Sequence, residues 1–219
     1  MASVSSPTGQ PEVRRRLLEA AARLLAEEGP SGLSTRRLAK EVGTSTMSVY
    51  TYFGGLPDLV RAVVEEGFAR LAAHLAEVPR TDDALTDLLA LGWAYRANAM
   101  DNPQLYAVMF GSASLGGYRR SKEELDEGRY TFDTLVAATA RAIEAGQFRQ
   151  ADPEHVAAQL WSALHGFVML ELAGYFEGDK DAIENVLLPL FVNLGIGLGA
   201  DTGRPAPTVP KRRQRRSRT

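Results

Sequence analysis

The sequence predicts an all-α protein, and three observations lead to this prediction. Apolar residues recur at helical spacing in one segment after another, and in the first segment they form a single stripe of Val13, Leu17, Ala21, Leu24 and Leu25. Serine, aspartate or proline stands where these segments begin, and glycine or proline stands where they end. No segment shows the period-two alternation of a β-strand. We therefore expect helices throughout the folded part of the chain.

A helix-turn-helix motif is predicted at residues 34–53, after a first helix over residues 11–28. Ser34 and Ser45 each precede a short helical segment, and we expect both hydroxyls to accept hydrogen bonds from the first free N–H groups of those helices. The run Val42-Gly43-Thr44 between the segments suits the tight, glycine-containing turn of this motif.

The rest of the chain divides into further helices by the same signals. The predicted helices run from Pro57 to about Val78, from Asp82 or Asp83 to about Met100, from Pro103 to Phe110, from the capping box Ser121-x-x-Glu124 to Ala145, from Pro153 to about Tyr175, and from about Asp179 to Leu198. Pro189 is expected to kink the last helix. The small-residue run Gly111 to Gly117 is expected to be a connecting loop.

The second helix of the motif carries a polar outer face. Leu38, Val42, Val49 and Phe53 give the motif its inward apolar side. The residues expected to point outward or half outward are Thr46, Met47, Ser48, Tyr50, Thr51 and Tyr52. Small hydroxyls and tyrosines on an exposed helix suit base edges and phosphates rather than a core. We therefore expect the motif to bind DNA, with a purely structural helical hairpin as the alternative.

The net charge of −2 conceals a separation of charge along the chain. Seven basic residues and no acidic one lie between Arg204 and Thr219, and the remainder holds 18 basic against 27 acidic residues. A body with a net charge of about −9 does not favour general nucleic-acid binding. Any DNA affinity must come from a local surface, from the tail, or from both. The tail is expected either to add non-specific DNA contacts or simply to stay disordered.

Several classes of protein are disfavoured by composition. There is no cysteine, hence no disulfide framework, which fits a reducing cytoplasm. No apolar run of about 18 residues suggests a membrane span, and the Ser/Pro/Gly-rich N-terminus lacks a signal-peptide pattern. His74, His155 and His165 are the only histidines, and none has a partner at metal-ligand spacing. Because no nucleophile, base and orienting group form a set, we expect no enzyme, cofactor or metal.

Two C-terminal helices, near residues 152–175 and 179–198, are apolar nearly all round. A surface helix needs only one apolar stripe, so these helices need burial on two sides. One side belongs to the domain's own core, and the other predicts a twofold interface with a second copy of the chain. A large monomeric core is the alternative.

Large side chains in the C-terminal region predict an apolar pocket with a few polar groups. The candidate ligand-binding residues are Tyr95, Tyr106, Phe110, Phe132, Trp161, His165 and Met169. Trp161, His165 and Met169 lie at i, i+4 and i+8 on one helix, and His165 is the main polar candidate. For any single residue, an ordinary core position is the competing interpretation.

The pattern of residues 11–70 resembles the tetracycline-repressor (TetR) family. The residues that carry the resemblance are Ala21-Ala22-x-Leu24-Leu25, the run Leu33 to Ala39, Val42-Gly43-Thr44-Ser45 and Val49-Tyr50-x-Tyr52-Phe53. The run Leu160 to Gly166 also resembles the Trp/His-Gly signature of one TetR-type ligand domain. The resemblance implies a homodimeric regulator, usually a repressor, that leaves its DNA operator when a small molecule enters the body.

The resemblance also implies roles for individual residues. The implied DNA-contact set is Arg36, Ser45, Thr46, Met47, Ser48, Tyr50, Thr51 and Tyr52, with the tyrosines and Ser48 at phosphates and Thr46, Met47 and Thr51 at bases. Arg36 matches an arginine that some members place on guanine, whose O6 and N7 suit a bidentate fork. Many members have a phosphate-contacting lysine where this chain has Leu56, so the N–H groups of that helix start would have to hold the phosphate.

The expected organisation follows from these points. We expect a disordered N-terminus at 1–10, a DNA-binding domain with its linking helix at 11–78, a helical ligand-binding and dimerisation domain at 80–200, and a disordered basic tail at 201–219. The expected protein is a cytoplasmic, ligand-responsive DNA-binding regulator. The alternative is an all-helical enzyme or small-molecule carrier whose N-terminal helices only pack. Arg14, Arg15 and Arg16 either flank the DNA backbone or form a solvated helix start.

Overall fold

A computed structural model describes residues 9–110, 126, 128–178 and 181–201 of the chain. Its α-helices are α1 Gly9–Glu28, α2 Thr35–Val42, α3 Thr46–Phe53, α4 Leu56–Ala76, α5 Ala84–Asp101, α6 Pro103–Phe110, α7 Arg129–Glu144, α8 Pro153–Leu172 and α9 Leu188–Gly197. A 3-10 turn, Pro30–Gly32, follows α1, and a π-helical turn, Ile183–Leu187, precedes α9. No strand occurs in the described residues, and the all-α prediction is confirmed.

The chain forms two compact units, each built from two parts of the sequence. The first unit contains the residues up to 74 together with 98–131, and the second contains 75–97 together with the residues from 132 onward. Because α4, α5 and α7 each cross one of these limits, both units share three continuous helices. The first unit therefore includes α6, which comes after the domain limit at 78–80 expected from the sequence.

The core of the first unit forms around the apolar stripe of α1. Leu17, Leu24 and Leu25 have no exposed surface, and neither do Leu38 of α2 and Val49 of α3. Full burial of one such side chain contributes about 1.5–3 kcal/mol relative to leaving it exposed. α2 and α3 are too short to be stable alone. Burial of their apolar side chains in the core that includes the α1 stripe therefore holds them in place.

α6 packs closely against α4 and α1 within the first unit. A side-chain carbon at Gly67 of α4 would lie only 2.4 Å from Sδ of Met109, so only glycine allows this approach. Beside it, the rings of Phe68 and Phe110 meet edge to face with centroids 6.0 Å apart. These contacts make α6 part of the first unit's interior.

The core of the second unit lies where α5, α8 and α9 approach one another. A carbon added at Gly92 of α5 would meet Phe191 of α9 at 3.6 Å and Leu164 of α8 at 3.7 Å. The end of α9 is held to the segment after α7, because the Arg149 N–H donates to the Leu198 carbonyl at 2.7 Å. Val156 of α8, at 2% exposure, completes this interior.

Helix ends agree with the sequence to within a few residues, with one difference in kind. α4 ends at Ala76 and α8 at Leu172, slightly before the predicted Val78 and Tyr175, which is ordinary fraying. The helix is irregular just before Pro189, because the π-helical turn Ile183–Leu187 runs directly into α9. A π-helical turn and a proline are both causes of helix kinks, and the kink at Pro189 stays a prediction.

Four predictions fall wholly or mostly outside the described residues: the disordered N-terminus at 1–10, of which 1–8 are not described, the loop Gly111 to Gly117, the capping box at Ser121 and Glu124, and the basic tail. Within the described part of the chain, no helix is both long and apolar enough to cross a membrane.

Candidate nucleic-acid interface and ligand site

The first helix of the motif, α2, is fixed at both ends by local chemistry. The Ser34 hydroxyl accepts a hydrogen bond from the Arg37 N–H at 3.2 Å, which confirms the predicted cap. At the other end Gly43 adopts φ 69° and ψ 40°, the left-handed conformation that a side chain would strain. The Thr44 N–H then returns to the Ala39 carbonyl at 2.9 Å. The turn between α2 and α3 is therefore closed by backbone geometry that requires this glycine.

The cap predicted for Ser45 is wrong, because its hydroxyl accepts no N–H hydrogen bond from α3. Instead, Oγ of Ser45 lies 3.3 Å from Oγ of Ser48, which lies 2.7 Å from Oγ1 of Thr44. The hydroxyls bond to one another across the turn. As a result, Ser48 is a half-buried residue that ties α3 to the turn as well as a candidate phosphate contact.

α3 separates its side chains into an inner and an outer face, as its sequence predicted. Val49 and Phe53 are buried, whereas Met47 is 67% exposed and Tyr50 is 52% exposed. Thr46 and Thr51 are also exposed, and Tyr52 is half-buried. The Thr51 hydroxyl donates back to the Met47 carbonyl at 2.9 Å and is thereby used within α3.

Most cations near this motif already have a partner inside the first unit. Arg37 forms a two-pronged pair with Glu28, at 2.6 and 2.5 Å, and this hydrogen bonding lowers the pKa of the Glu28 carboxyl. Carboxylate partners also occupy the side chains of Arg15, Arg23, Arg61 and Arg70. Such exposed pairs add little stability, but each of these arginines already has an anionic partner and is less available to bind a phosphate.

Arg36 and Lys40 differ from these cations. Both are exposed on α2, four residues apart, and neither makes a hydrogen bond or ion pair with any described residue. Residues four apart share one helix face. We call Arg36 and Lys40, together with the outer residues Thr46, Met47, Ser48, Tyr50, Thr51 and Tyr52 of α3, the α2–α3 surface. Its only two formal charges are positive and are available to an external anion.

The three arginines at the start of α1 have separate roles. Arg14 places its guanidinium 5.3 Å from the centre of the Phe53 ring, and Arg16 donates to the Val42 carbonyl at 2.7 Å. Arg15 pairs with Glu12 and Glu19 on its own helix. Arg14 and Arg16 thus connect α1 to the motif, and neither the DNA-flanking nor the simple solvated interpretation describes them fully.

The start of α4 contains an acidic residue that the sequence argument overlooked. Asp58 lies in the first turn of α4 and pairs with Arg61 at 3.0 Å. A carboxylate at a helix N-terminus already interacts with its positive end. This weakens the expectation that the N–H groups beside Leu56 bind a phosphate in place of the usual lysine.

In the second unit, four of the candidate ligand residues come together. The Trp161 indole N–H donates to the Tyr95 hydroxyl at 3.2 Å, and that hydroxyl lies 2.9 Å from Nδ1 of His165. Phe132 meets the Trp161 ring edge to face, with centroids 5.9 Å apart. We call Tyr95, Phe132, Trp161 and His165 the Trp161 cluster. It joins α5, α7 and α8 through aromatic surface and one chain of hydrogen bonds.

His165 is held in its neutral form by burial, which lowers its pKa. The Tyr95 hydroxyl accepts from the Trp161 indole and shares a second hydrogen bond with Nδ1 of His165, in which the imidazole tautomer decides which atom donates. An uncharged, hydrogen-bonded cluster of this kind suits an apolar ligand with few polar groups.

The other three candidate ligand residues have different surroundings within their own units. Tyr106 is 1% exposed in the first unit, and its ring centroid lies 4.9 Å from that of Phe110. Met169 is on the same helix as Trp161 and His165 but is 39% exposed. The role of these three residues in ligand binding stays a prediction.

Apolar residues also face outward on the last helices of the second unit. The large exposed side chains there are Met169, Leu170, Tyr175, Val186, Val192 and Ile196. They fall within the two segments whose composition predicted an interface with a second copy. Exposure of this many large apolar groups in one region is typical of a surface that binds another protein.

Lys40, a candidate DNA contact, and the ion pair made by Glu171 were not anticipated from the sequence. Lys40 had a usable signal, since it follows Arg36 by four residues. Glu171 of α8 forms an ion pair with Arg96 of α5, in which Nε of Arg96 donates to Oε2 of Glu171 at 2.8 Å. Only the folded chain brings those two residues together. Among the described residues, no group of three or more metal-ligating side chains occurs.

Two family models match the sequence. The model described as bacterial regulatory proteins, tetR family, matches residues 17–63, which contain the motif. The model described as tetracyclin repressor-like, C-terminal domain, matches residues 88–188, which contain the Trp161 cluster.

Relatives with similar sequences are named as HTH-type transcriptional regulators. The uncharacterized HTH-type transcriptional regulator Rv0681 of Mycobacterium tuberculosis is 33% identical over 177 residues, covering 78% of this chain and 75% of that protein. The HTH-type transcriptional repressor AcnR of Corynebacterium diphtheriae is 26% identical over 180 residues, covering 80% and 87%. The solved structure of a bacterial regulatory protein in the tetR family from Rhodococcus RHA1 shares the fold, with a TM-score of 0.68, 22% identity and coverage of 87% and 98%.

Proposed function

The chain belongs to the TetR family of DNA-binding transcriptional regulators, and we propose that it is a homodimeric repressor that a small molecule releases from its operator. The observation that carries the proposal is the α2–α3 surface. It combines an exposed neutral helix face with the two uncommitted cations of the neighbouring helix. Phosphate and base contacts need both kinds of group.

We assign the contacts within this surface by chemistry. Arg36 is placed on a guanine, with its fork on O6 and N7, while Thr46, Met47 and Thr51 face base edges and thymine methyl groups. Tyr50 and Tyr52 contact phosphates. Ser48 contributes mainly by holding the start of α3, because its hydroxyl is shared with Thr44 at 2.7 Å. Ser45, whose hydroxyl is not used to cap α3, is left as a further phosphate contact.

Dimerisation follows from the small number of these contacts. The α2–α3 surface of one copy offers two cations and one short helix, which is a small contact area for specific binding. Two copies on one face of a duplex read half-sites about 34–36 Å apart, or a multiple of that distance. We place the interface on the exposed apolar residues of α8 and α9, near residues 152–175 and 179–198, because these residues need a cover.

The effector site is placed at the Trp161 cluster. Its aromatic rings offer apolar surface, and Tyr95 and His165 offer uncharged hydrogen-bonding groups. A ligand shifts the DNA-binding equilibrium only by its difference in affinity for the two dimer geometries. The ligand is therefore expected to be a largely apolar, uncharged molecule that favours a half-site spacing different from that of the operator.

The test is selection of DNA fragments from the source genome by the full-length protein at low salt, starting with the promoter upstream of its own gene. We expect retention of a near-palindromic fragment and a footprint with two half-sites. Tyr50→Ala should remove the footprint, whereas Tyr130→Ala, an equally exposed tyrosine on α7, should leave it intact. If no fragment is retained, or if Tyr50→Ala binds like the unaltered protein, the proposal fails.

The alternative, a helical enzyme or small-molecule carrier, has less support. The family and the repressor among its relatives favour the regulator. Since a regulator must meet DNA, we also place the protein in the cytoplasm, on the nucleoid when bound.

A further inference from the structure

Three residues form a tightly bonded group beside the segment that follows the linking helix α4. We call residues 77–83 the strap, and Thr81, Asp87 and Arg141 the latch. The Asp87 carboxylate, only 4% exposed, accepts the Thr81 N–H at 3.1 and 3.0 Å and the Thr81 hydroxyl at 2.7 Å. Arg141 donates to the same carboxylate at 2.7 Å and also to the Thr81 carbonyl. All the polar groups of Thr81 are thus engaged.

The latch holds the strap to two helices at once. Asp87 belongs to α5 and Arg141 to α7, while Thr81 lies five residues after Ala76, the last residue of α4. Asp83 adds a second attachment, since its carboxylate accepts from the Leu85 N–H at 3.2 Å and from the Gln147 amide at 3.0 Å. The short strap leaves the end of α4 little freedom to move independently of α5 and α7.

The same two helices also build the Trp161 cluster. Tyr95 lies eight residues after Asp87 on α5, about 12 Å along the axis at 1.5 Å per residue. Phe132 lies nine residues before Arg141 on α7, about 13.5 Å along that axis. Tyr95 and Phe132 both contact Trp161. α5 and α7 therefore meet through Trp161 at one level and through the Asp87–Arg141 ion pair at another.

We propose that the latch transmits the state of the Trp161 cluster to the end of the linking helix α4. Packed helices move as nearly rigid bodies, so a ligand that separates or rolls α5 and α7 at Trp161 also displaces them at Asp87 and Arg141. The buried carboxylate cannot give up one donor without a large penalty. It therefore pulls Thr81, and with it the strap, to a new position.

The inference rests on the proposed function, because only a ligand-responsive regulator would use such coupling. Its first measurement, however, requires neither DNA nor a known effector. Coupling between two sites is reciprocal in free energy, so a latch that carries the pocket state to α4 also carries a change at the strap or the DNA back to Trp161. Trp161 is one of only two tryptophans in the chain. In a Trp93→Phe background its emission reports the cluster alone, without any need to know the effector.

The first arm of the experiment uses the free full-length protein in the Trp93→Phe background. Arg141→Gln removes both latch donors of Arg141, and Thr81→Val removes only the hydroxyl while keeping the residue's shape. Arg80→Gln is the matched control, an exposed strap arginine with no hydrogen bond to a described residue. We expect a shift in Trp161 emission and acrylamide quenching for both latch variants, larger for Arg141→Gln, and none for Arg80→Gln.

The second arm adds the promoter fragment that the unaltered protein retains. We expect DNA to change Trp161 emission when the latch is intact, and this change to be lost in Arg141→Gln and reduced in Thr81→Val although both still bind. Circular dichroism checks that each variant is folded. Should Arg141→Gln prove unfolded, the result for Thr81→Val alone decides the test. The inference is overturned if Trp161 emission in the free latch variants is the same as in the Trp93→Phe protein. It is also overturned if DNA still changes Trp161 emission in folded Arg141→Gln and Thr81→Val. Absence of DNA binding by the unaltered protein overturns the proposed function only, since the first arm still decides the latch.

Discussion

The α2–α3 surface of the first unit and the interior of the second unit use polar side chains in opposite ways. Arg36 and Lys40 are exposed and uncommitted, and the outer face of α3 offers further exposed hydroxyls. In the second unit Asp87 is buried with hydrogen bonds from Thr81 and Arg141, and His165 is bonded to Tyr95. Groups without internal partners are available for recognition, whereas groups bonded to one another fix the positions of helices. Substitutions in the two regions should therefore affect different quantities.

The largest effect is expected on stability, at Asp87. Asp87→Ala leaves Arg141 and the Thr81 N–H without their partner, and removing one member of a buried pair costs about 3–5 kcal/mol. The measurement is the free energy of unfolding in urea, without DNA. Asp58→Ala, which breaks an exposed pair on α4, should cost less than about 1 kcal/mol. Equal losses for the two variants would remove the distinction between the regions.

A smaller but specific effect is expected on DNA affinity at Arg36. Arg36→Ala would remove the bidentate base contact that we propose for this residue, so discrimination at one operator position should fall by about 1–3 kcal/mol. The free energy of unfolding should change by no more than about 0.5 kcal/mol, because the side chain is exposed and makes no hydrogen bond or ion pair with a described residue. Fluorescence anisotropy with operator variants measures both affinity and discrimination. Arg61→Ala, which alters a paired cation outside the surface, should keep the discrimination; if it loses as much, Arg36 has no special role.

The stabilisation from Asp87 should depend on pH in a defined direction. Burial opposes ionisation of this carboxyl, but hydrogen bonds from Thr81 and Arg141 outweigh it and hold the pKa below the ordinary value of 3.8. A lowered folded-state pKa gives stabilisation that is complete above the ordinary value and is lost as the pH falls through the lowered value. The stability difference between the unaltered protein and Asp87→Asn should thus be constant near neutrality and shrink below about pH 4.

Urea unfolding at a series of pH values tests this dependence. A difference that stays constant into strong acid would mean that the Asp87 charge does not contribute. A difference that already disappears near neutral pH would mean that folding raises the pKa of Asp87 instead of lowering it.

The smallest effect is expected at Lys40, which we expect to contact a single phosphate. Lys40→Gln should weaken binding about equally for all sequences and reduce the slope of log affinity against log salt by about 1. Anisotropy titrations at several salt concentrations measure this slope. Arg61→Gln should leave it unchanged, because that cation pairs with Asp58. A change in sequence preference on substitution of Lys40 would instead indicate contact with a base.

Features that depend on local sequence could be predicted. The Ser34 cap, the Gly43 turn and the inward side of α3 all follow from residues within one or two helical turns, and the structure has them. Ser45 shows the limit of such reasoning. Its hydroxyl had the right position for a cap, but a competing hydroxyl on Ser48 was available at 3.3 Å. Local rules rank possible partners and do not exclude competition.

Features that depend on distant residues could not be predicted. Asp87 and Arg141 are 54 residues apart, and nothing local to either of them indicates the other. The size of Tyr106 and Phe110 makes them candidate ligand-binding residues, but nothing in the sequence indicates the neighbours they pack against. For the same reason Arg36 and Arg37 look alike in sequence, while only Arg37 meets Glu28 in the folded chain.

The most direct test of the central claim is a paired measurement on the double variant Arg36→Ala/Tyr50→Ala. Anisotropy with a labelled operator, alongside urea unfolding of the same preparation, measures recognition and stability together. Because both side chains belong to the exposed α2–α3 surface, we expect unfolding to be unchanged while affinity falls to that for unrelated DNA of equal length. Specific binding that persists in this folded double variant would contradict the assignment of DNA recognition to this surface.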